Sequence, residues 1–279
     1  MSHIRIRKGS TLGKYLLPEI DYRASMAVRA NDQVFLTGAT GLTLDGTQFI
    51  GNGDPAMQAE QAMKVVRILL EESGARMKDI CKVTTYVTDH NYRKQVYPVL
   101  ANHLRGVNPV STGLVVSGLA QPEMDFEIDV FAVVPNENKE HRRIRLFNNQ
   151  DVEGSDPSFP NLDYGLARAV RANNLVFLQG QTGRTFDGRF VGKGDPAAQA
   201  NNALKCVNIL LKELGLQMKD ICKLVTYVKD APYRRAVYPV IAEHMRGIQP
   251  VSTGLVVEGF GHPDVDFELD VMAVVPNDE

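Results

Sequence analysis

Two stretches of this chain are near-copies of one another. GATGLTLDGTQFIGNGDPAMQA, beginning at Gly38, returns at Gly180 as GQTGRTFDGRFVGKGDPAAQA. The offset of 142 (180 − 38) becomes 141 by Pro55 and Pro196, because the second copy lacks one residue of the turn. The match continues through MKDICK (77–82 and 218–223), VYPV from Val96 and Val237, and PVSTGLVV from Pro109 and Pro250. It closes with DFEIDVFAVVPN against DFELDVMAVVPN. Two copies imply a duplicated domain rather than a solenoid, which needs three or more units to bury a continuous core. Each copy is then a domain of roughly 135 residues, an ordinary size. The expected organisation is a first domain over 1–137, a polar linker over 138–160 and a second domain over 161–279.

Composition narrows the class of function. Hydrophobic residues make up 44% of the chain and charged residues 23%, as in ordinary globular proteins. The net charge of −2 gives no basic stripe for nucleic acid. No apolar run approaches the length of a membrane span, and MSHIRIRKGS lacks the apolar centre of a signal peptide. The three cysteines, with Cys81 and Cys222 equivalent, point to a reduced, cytoplasmic setting in which the same buried role occurs twice. The six histidines show no metal-ligand spacing, so no metal is expected.

Each copy reads as β-β-α-β-α-β-β. A hairpin turns at Asn31-Asp32 and again at Asn173-Asn174. Asp54-Pro55 and Asp195-Pro196 place an N-cap and a proline at a helix start, and Gly74 and Gly215 end those helices. KVTTYVT from Lys82 is strand-like; a helix follows from about Asn91 to Arg105, with Pro98 implying a kink or a late start. Val110 to Leu119 and Asp125 to Val134 complete the copy, and Ile4 to Arg7 and Ile144 to Phe147 suggest added edge strands. In the last strand Phe126, Ile128 and Val130 alternate with Glu127 and Asp129 until Phe131 breaks the polarity. Two acids on one sheet face require solvent or polar partners, which makes that face the first candidate for chemistry.

The VF-x-x-G strand end, the DP-x-x-QA helix start, the segment from Gly74 through DI-x-K to Y-V-x-D, and P-x-S-x-x-x-V before E-I/L-D together resemble the Rid (reactive intermediate deaminase, YjgF-type) family, also known as L-PSP endoribonuclease. The resemblance covers roughly 24–135 and 166–276. It implies an α+β fold of two tandem chorismate-mutase-like domains, with sites in clefts between neighbouring domains. It also implies a homo-oligomer, most simply a trimer of tandem chains stacking two rings of three domains. The implied activity is cofactor-free hydrolysis of a small enamine or imine by water. The family arginine that binds a substrate carboxylate is replaced by Ser111 and Ser252, its cysteine by Gly113 and Gly254, and its asparagine by Tyr97 and Tyr238. The tyrosine before the first strand becomes Ala24 and Leu166, with Tyr22 and Tyr164 two residues upstream as possible substitutes. The final-strand glutamate survives as Glu127 and Glu268.

The site expected from this pattern has Glu127 and Glu268 as water-activating acid–base residues. Ser111, Thr112, Ser252 and Thr253 would contact the substrate, with Tyr97 and Tyr238 as phenolic donors. The copies differ where Met26 becomes Arg168 and Leu42 becomes Arg184, so either arginine could replace the missing anchor in one site only. The departures favour a 2-aminomuconate-like substrate over 2-aminoacrylate. A non-catalytic ligand binder is the alternative, and an endoribonuclease is disfavoured by the acidic balance.

Overall fold

In the computed structural model, the structure describes residues 3–8, 15, 23–136, 139–147 and 165–276. Tyr22, Tyr164 and most of the expected linker lie outside the described residues. Repeat 1 comprises β1 (Ile4–Lys8), β2 (Ser25–Ala30), β3 (Gln33–Leu36), α1 (Pro55–Glu72), β4 (Ile80–Val87), α2 (Arg93–Leu104), β5 (Val110–Val115) and β6 (Phe126–Val133). Repeat 2 follows with β7 (Arg142–Phe147), β8 (Leu166–Ala172), β9 (Leu175–Leu178), α3 (Pro196–Glu213), β10 (Ile221–Val228), α4 (Arg234–His244), β11 (Val251–Val256) and β12 (Phe267–Val274). The two six-stranded sheets have matching orders, β1-β2-β3-β6-β4-β5 and β7-β8-β9-β12-β10-β11. The fold is α+β, with two helices against one face of each sheet. Both suggested edge strands form: β1 pairs with β2, and β7 pairs with β8, so part of the polar stretch joins the second sheet.

Local chemistry accounts for the elements. Asn31 and Asn173 take positive φ (58° and 52°) at the hairpin turns, a conformation asparagine tolerates better than most residues. Asp54 accepts from the Met57 amide at 3.0 Å, and Asp195 accepts from that of Ala198 at 3.0 Å, capping α1 and α3. Pro98 neither delays α2 nor ends it: the helix starts at Arg93 and runs on to Leu104. Leu69, Leu70, Val66 and Met63 of α1 are fully buried with Val83, Phe126, Ile128 and Val130 of the sheet, forming the core of repeat 1. Leu204, Val207, Leu210 and Leu211 of α3 do the same in repeat 2 with Leu224, Phe267, Leu269 and Val271.

Gln58 and Gln199, the glutamines of the helix-start motif, are fully buried and fully used. Gln58 Oε1 accepts from the amides of Asp125 and Phe126 at 2.8 and 3.1 Å, while Nε2 donates to the Gly51 and Glu123 carbonyls at 2.9 and 3.0 Å. Gln199 makes the same bonds to Asp266, Phe267, Gly192 and Asp264. Such saturated buried amides hold a single geometry. Here they fix the start of β6 and β12, one residue before each glutamate.

The repeats pack side by side, head to tail. Ala167 N donates to the Pro109 carbonyl (3.0 Å), Gly180 N to that of Ser111 (3.3 Å), and Val115 N to that of Gly259 (2.9 Å). An apolar cluster of Cys81, Val110, Val133, Ala167, Val170, Ala172, Leu175 and Phe177 seals the junction, and Phe131 packs against Phe177 at 5.2 Å. Phe131 therefore keeps the strand alternation but faces the other repeat rather than solvent. The contact is heterologous: the trailing strand of repeat 1 meets the leading edge of repeat 2, while β11 of repeat 2 stays largely exposed. That asymmetry corrects one expectation about the cysteines. Cys81 is buried at the junction, whereas its equivalent Cys222 is exposed because no third repeat covers it.

Candidate active site between the repeats

Strand pairing decides which side chains can meet. Tyr86 lies opposite Glu127 and Thr84 opposite Asp129, and in repeat 2 Tyr227 lies opposite Glu268 and Val225 opposite Asp270. Glu127, Asp129, Lys82, Tyr86 and Thr112 thus occupy the sheet face turned away from the helices, while Ser111 and Gly113 occupy the helix face. Adjacent residues of one strand cannot both line one cavity, so Ser111 and Thr112 separate. Thr112 instead donates its hydroxyl to Asp270 of the other repeat.

Both glutamates lie across a glycine. A Cβ placed on Gly38 would collide with the Glu127 carboxylate, and one on Gly180 with that of Glu268. Their environments then diverge. Glu127 is half-buried, and burial, followed by the charge of Asp129, lifts its proton affinity to about 7. Glu268 is buried, and burial, then Asp270, lifts its value to about 8, opposed by Arg93 and Lys82 of repeat 1. Carboxyls poised this close to neutrality suit proton transfer in either direction.

A cross-repeat polar network supports Glu268. Lys82 Nζ bonds Asp270, which also accepts from Thr112 and, at 3.5 Å, from Tyr227. In repeat 1 the equivalent Asp129 accepts from Tyr86 at 3.1 Å. Burial raises the proton affinity of both tyrosines, and the neighbouring aspartates raise it further, so both hydroxyls remain protonated donors.

The wall of the Glu268 cleft comes from repeat 1. The Ser111 carbonyl accepts from Gly180, the residue covering Glu268. Beside it, a Cβ on Gly113 would lie 2.5 Å from the Tyr97 hydroxyl and 2.7 Å from an Arg93 guanidinium nitrogen. The Arg93 guanidinium stacks 4.3 Å from the centre of the Tyr97 ring. A Cβ on Gly261 of repeat 2 would lie 3.0 Å from the same guanidinium. One set of parts is therefore brought together within the chain: Glu268 and Gly180 from repeat 2, with Ser111, whose carbonyl meets Gly180, and Arg93, whose charge reaches Glu268 and which packs against Tyr97 and Gly113, from repeat 1. The second set is divided. Ser252, Thr253 and Tyr238 are exposed, and no described contact joins them to Glu127.

Arg168 and Arg184 are not among the cations whose charge acts on Glu268. Arg168 donates to Gln179 at 2.8 Å and sits 5.9 Å from the Phe186 ring, which also carries Arg145. Burial and then the charge of Arg184 lower the Arg168 guanidinium to about 10. The cations whose charge reaches Glu268 are Arg93 and Lys82. Neither was singled out from the sequence, although both recur at equivalent positions, as Arg234 and Lys223.

The Endoribonuclease L-PSP family model matches residues 16–134 and 161–275, one match per repeat. The chain belongs to that family. Its relatives include "Protein MMF1, mitochondrial" of Saccharomyces cerevisiae, 27% identical over 135 residues, which are 47% of this chain and 91% of that one. Another is a 2-iminobutanoate/2-iminopropanoate deaminase of Dermatophagoides farinae, 23% identical over 110 residues, 39% of this chain and 83% of that one. A crystal structure of a chorismatase matches both repeats at once, with a TM-score of 0.66 at 17% identity, covering 89% of this chain and 76% of that one. That likeness shows the two-repeat fold alone.

Proposed function

We propose that this L-PSP family chain hydrolyses the C=N bond of a small imine or enamine at the cleft between its repeats, with Glu268 as the acid–base residue. The observation that carries this reading is the enclosure of Glu268 by the other repeat, with its proton affinity lifted to about 8. In the ionised form, Glu268 takes a proton from water as the water oxygen bonds to the imine carbon. The carboxyl then delivers that proton to the nitrogen of the tetrahedral intermediate. Glu268 then takes the hydroxyl proton and passes it to the amine nitrogen as the C–N bond breaks, so the carbonyl forms and ammonia leaves. The name of the deaminase relative is consistent with this chemistry. The enclosed cleft and its small Ser111 and Gly113 positions favour an extended, 2-aminomuconate-like substrate over the smallest enamines.

The test is ammonia release from 2-aminomuconate and 2-iminobutanoate, comparing wild type with Glu268→Gln and Glu127→Gln. Turnover lost in Glu268→Gln alone supports the reading. No turnover of any imine by the folded wild type would favour ligand binding without catalysis. A trimer of tandem chains in the cytoplasm would bring the exposed β11 of one chain to the Glu127 half-site of the next. Sedimentation velocity distinguishes that assembly from the single chain, in which only the Glu268 set of residues is brought together.

A further inference from the structure

Glu268 does not stand alone on its strand. Asp270 lies two residues further along β12 on the same face, and its side chain is only 5% exposed. A carboxylate so far from water needs partners, and it has three. Lys82 Nζ of repeat 1 bonds it, Thr112 of repeat 1 donates its hydroxyl, and Tyr227 of its own sheet reaches it at 3.5 Å. Lys82 is the lysine of the DI-x-K segment, which recurs as Lys223. The equivalent parts stay separated: Asp129 accepts from Tyr86 at 3.1 Å, and Lys223 is exposed. Among the described residues the lysine–aspartate pair therefore exists once, across the junction. A buried ion pair is often no more stabilising than apolar residues of similar volume, so stability alone does not account for it.

The charged and titratable groups around Glu268 come from both repeats. They are Asp270 on its own strand, Tyr227 opposite it on β10, Lys82 on β4 and Arg93 on α2, with Tyr86 of β4 acting on Tyr227 and Asp270 behind them. Asp270 and Lys82 act on Glu268 with opposite signs. We propose that Lys82 of repeat 1 is a positioning residue for Glu268 of repeat 2: it holds Asp270 in place as the fixed charge against which Glu268 takes and gives up its proton. This deepens the hydrolase reading and rests on it for the task of Glu268, but the titration of that carboxyl can be followed without turnover. Repeat 1 then sets the acid–base step without supplying the acid–base group.

The experiment is an NMR titration of the full chain labelled at the glutamate side-chain carboxyl, with the Glu268 signal assigned by its loss in Glu268→Gln. Asp270→Asn keeps the shape and removes the charge, so it should lower the Glu268 midpoint by roughly one pH unit, and Lys82→Met should raise it. Lys82→Arg should stay near wild type, and Lys223→Met, outside the junction, should not move it. For any imine the chain turns over, the pH limb of kcat/KM should be displaced in the same two directions. The proposal is overturned if Asp270→Asn or Lys82→Met leaves the midpoint within about 0.3 pH unit of wild type, or moves it against the expected sign. That is the behaviour of a pair that only holds the repeats together. A shift as large in Lys82→Arg as in Lys82→Met would overturn it too, since charge would not be the cause. Midpoints displaced as expected in a chain that releases no ammonia would sink the hydrolase reading and leave this one standing. Ammonia release lost in Glu268→Gln, with the limb unmoved in both pair variants, would do the reverse.

Discussion

Strands β5 and β11 have the same six-residue sequence, VSTGLV, and opposite fates. Val110, Leu114 and Val115 are 0%, 2% and 6% exposed; Val251, Leu255 and Val256 are 67%, 45% and 49% exposed. The backbone pairing is also the same, each strand running parallel to its neighbour in identical register. Only the docking of repeat 2 onto repeat 1 separates them. Burial, and with it the assembly of a site, is thus a property of the junction and not of the strand. The docking brings one set of site residues together and leaves the second divided between the two ends of the pair.

The largest test of that contrast is catalytic. Removing a positioned acid–base group costs roughly 10²–10⁴ in rate. Glu268→Gln should lower kcat by that amount on a substrate the wild type deaminates, while Glu127→Gln should stay within about twofold. Comparable losses from both variants would show that the Glu127 half-site is completed in solution, and the one-cleft account would fail.

The junction can next be probed through stability. Leu114→Ala should cost about 2–4 kcal/mol, in the range of buried leucine truncations, whereas Leu255→Ala should change stability by less than about 0.5 kcal/mol. Urea titrations would measure both. A large loss for Leu255→Ala would mean that something covers β11.

Much of the fold was legible in the sequence because it depends on local rules. The Asp-Pro helix starts, the asparagine turns, the glycine stops and the alternation around Glu127 each act within a few residues and occur twice. The composite cleft was not legible for the opposite reason. Ser111 and Thr112 were read as a pair of ligand contacts, but strand alternation sends them to opposite faces, and Thr112 is held by Asp270. Arg168 and Arg184 drew notice because they differ between the copies, yet Arg168 lies beside Phe186 and feels the charge of Arg184, while the cations acting on Glu268 are Arg93 and Lys82. Arg93 is the same in both copies and escaped a comparison built on differences. Only the docking of the repeats gives it a distinct environment.

The raised carboxyls give a pH signature with a definite sign. Glu268 holds its proton to about pH 8 when folded, against 4.5 as its ordinary value, so the native state binds more protons than the unfolded chain across that window. Stability contributed by this group is full below about pH 4.5 and falls as pH rises toward 8, by on the order of a few kcal/mol. Glu127, lifted to about 7, adds a smaller slope of the same sign that ends earlier. Glu268→Gln should flatten most of the decline between pH 5 and 8 in denaturant titrations, and Glu127→Gln less of it. A steeper decline in Glu268→Gln would contradict the burial that sets both values. On the kinetic side, kcat/KM for an imine should rise with pH on a limb near 8.

The smallest effect concerns the two equivalent thiols. Cys81 lies in the apolar junction, and burial pushes its thiol up to about 12, so little thiolate forms and no reagent reaches it while the repeats stay docked. Cys222, on the uncovered equivalent surface, should react in the native state, and its modification should shift stability by less than about 0.5 kcal/mol. Quenched labelling with a maleimide, followed by peptide mass spectrometry, separates the two sites. Repeating it over a hundredfold range of protein concentration sharpens the comparison. Cys222 labelling independent of concentration leaves β11 a bare surface. Labelling that slows as the protein is concentrated would mean that a second copy covers in trans, at repeat 2, what repeat 2 covers in cis at repeat 1.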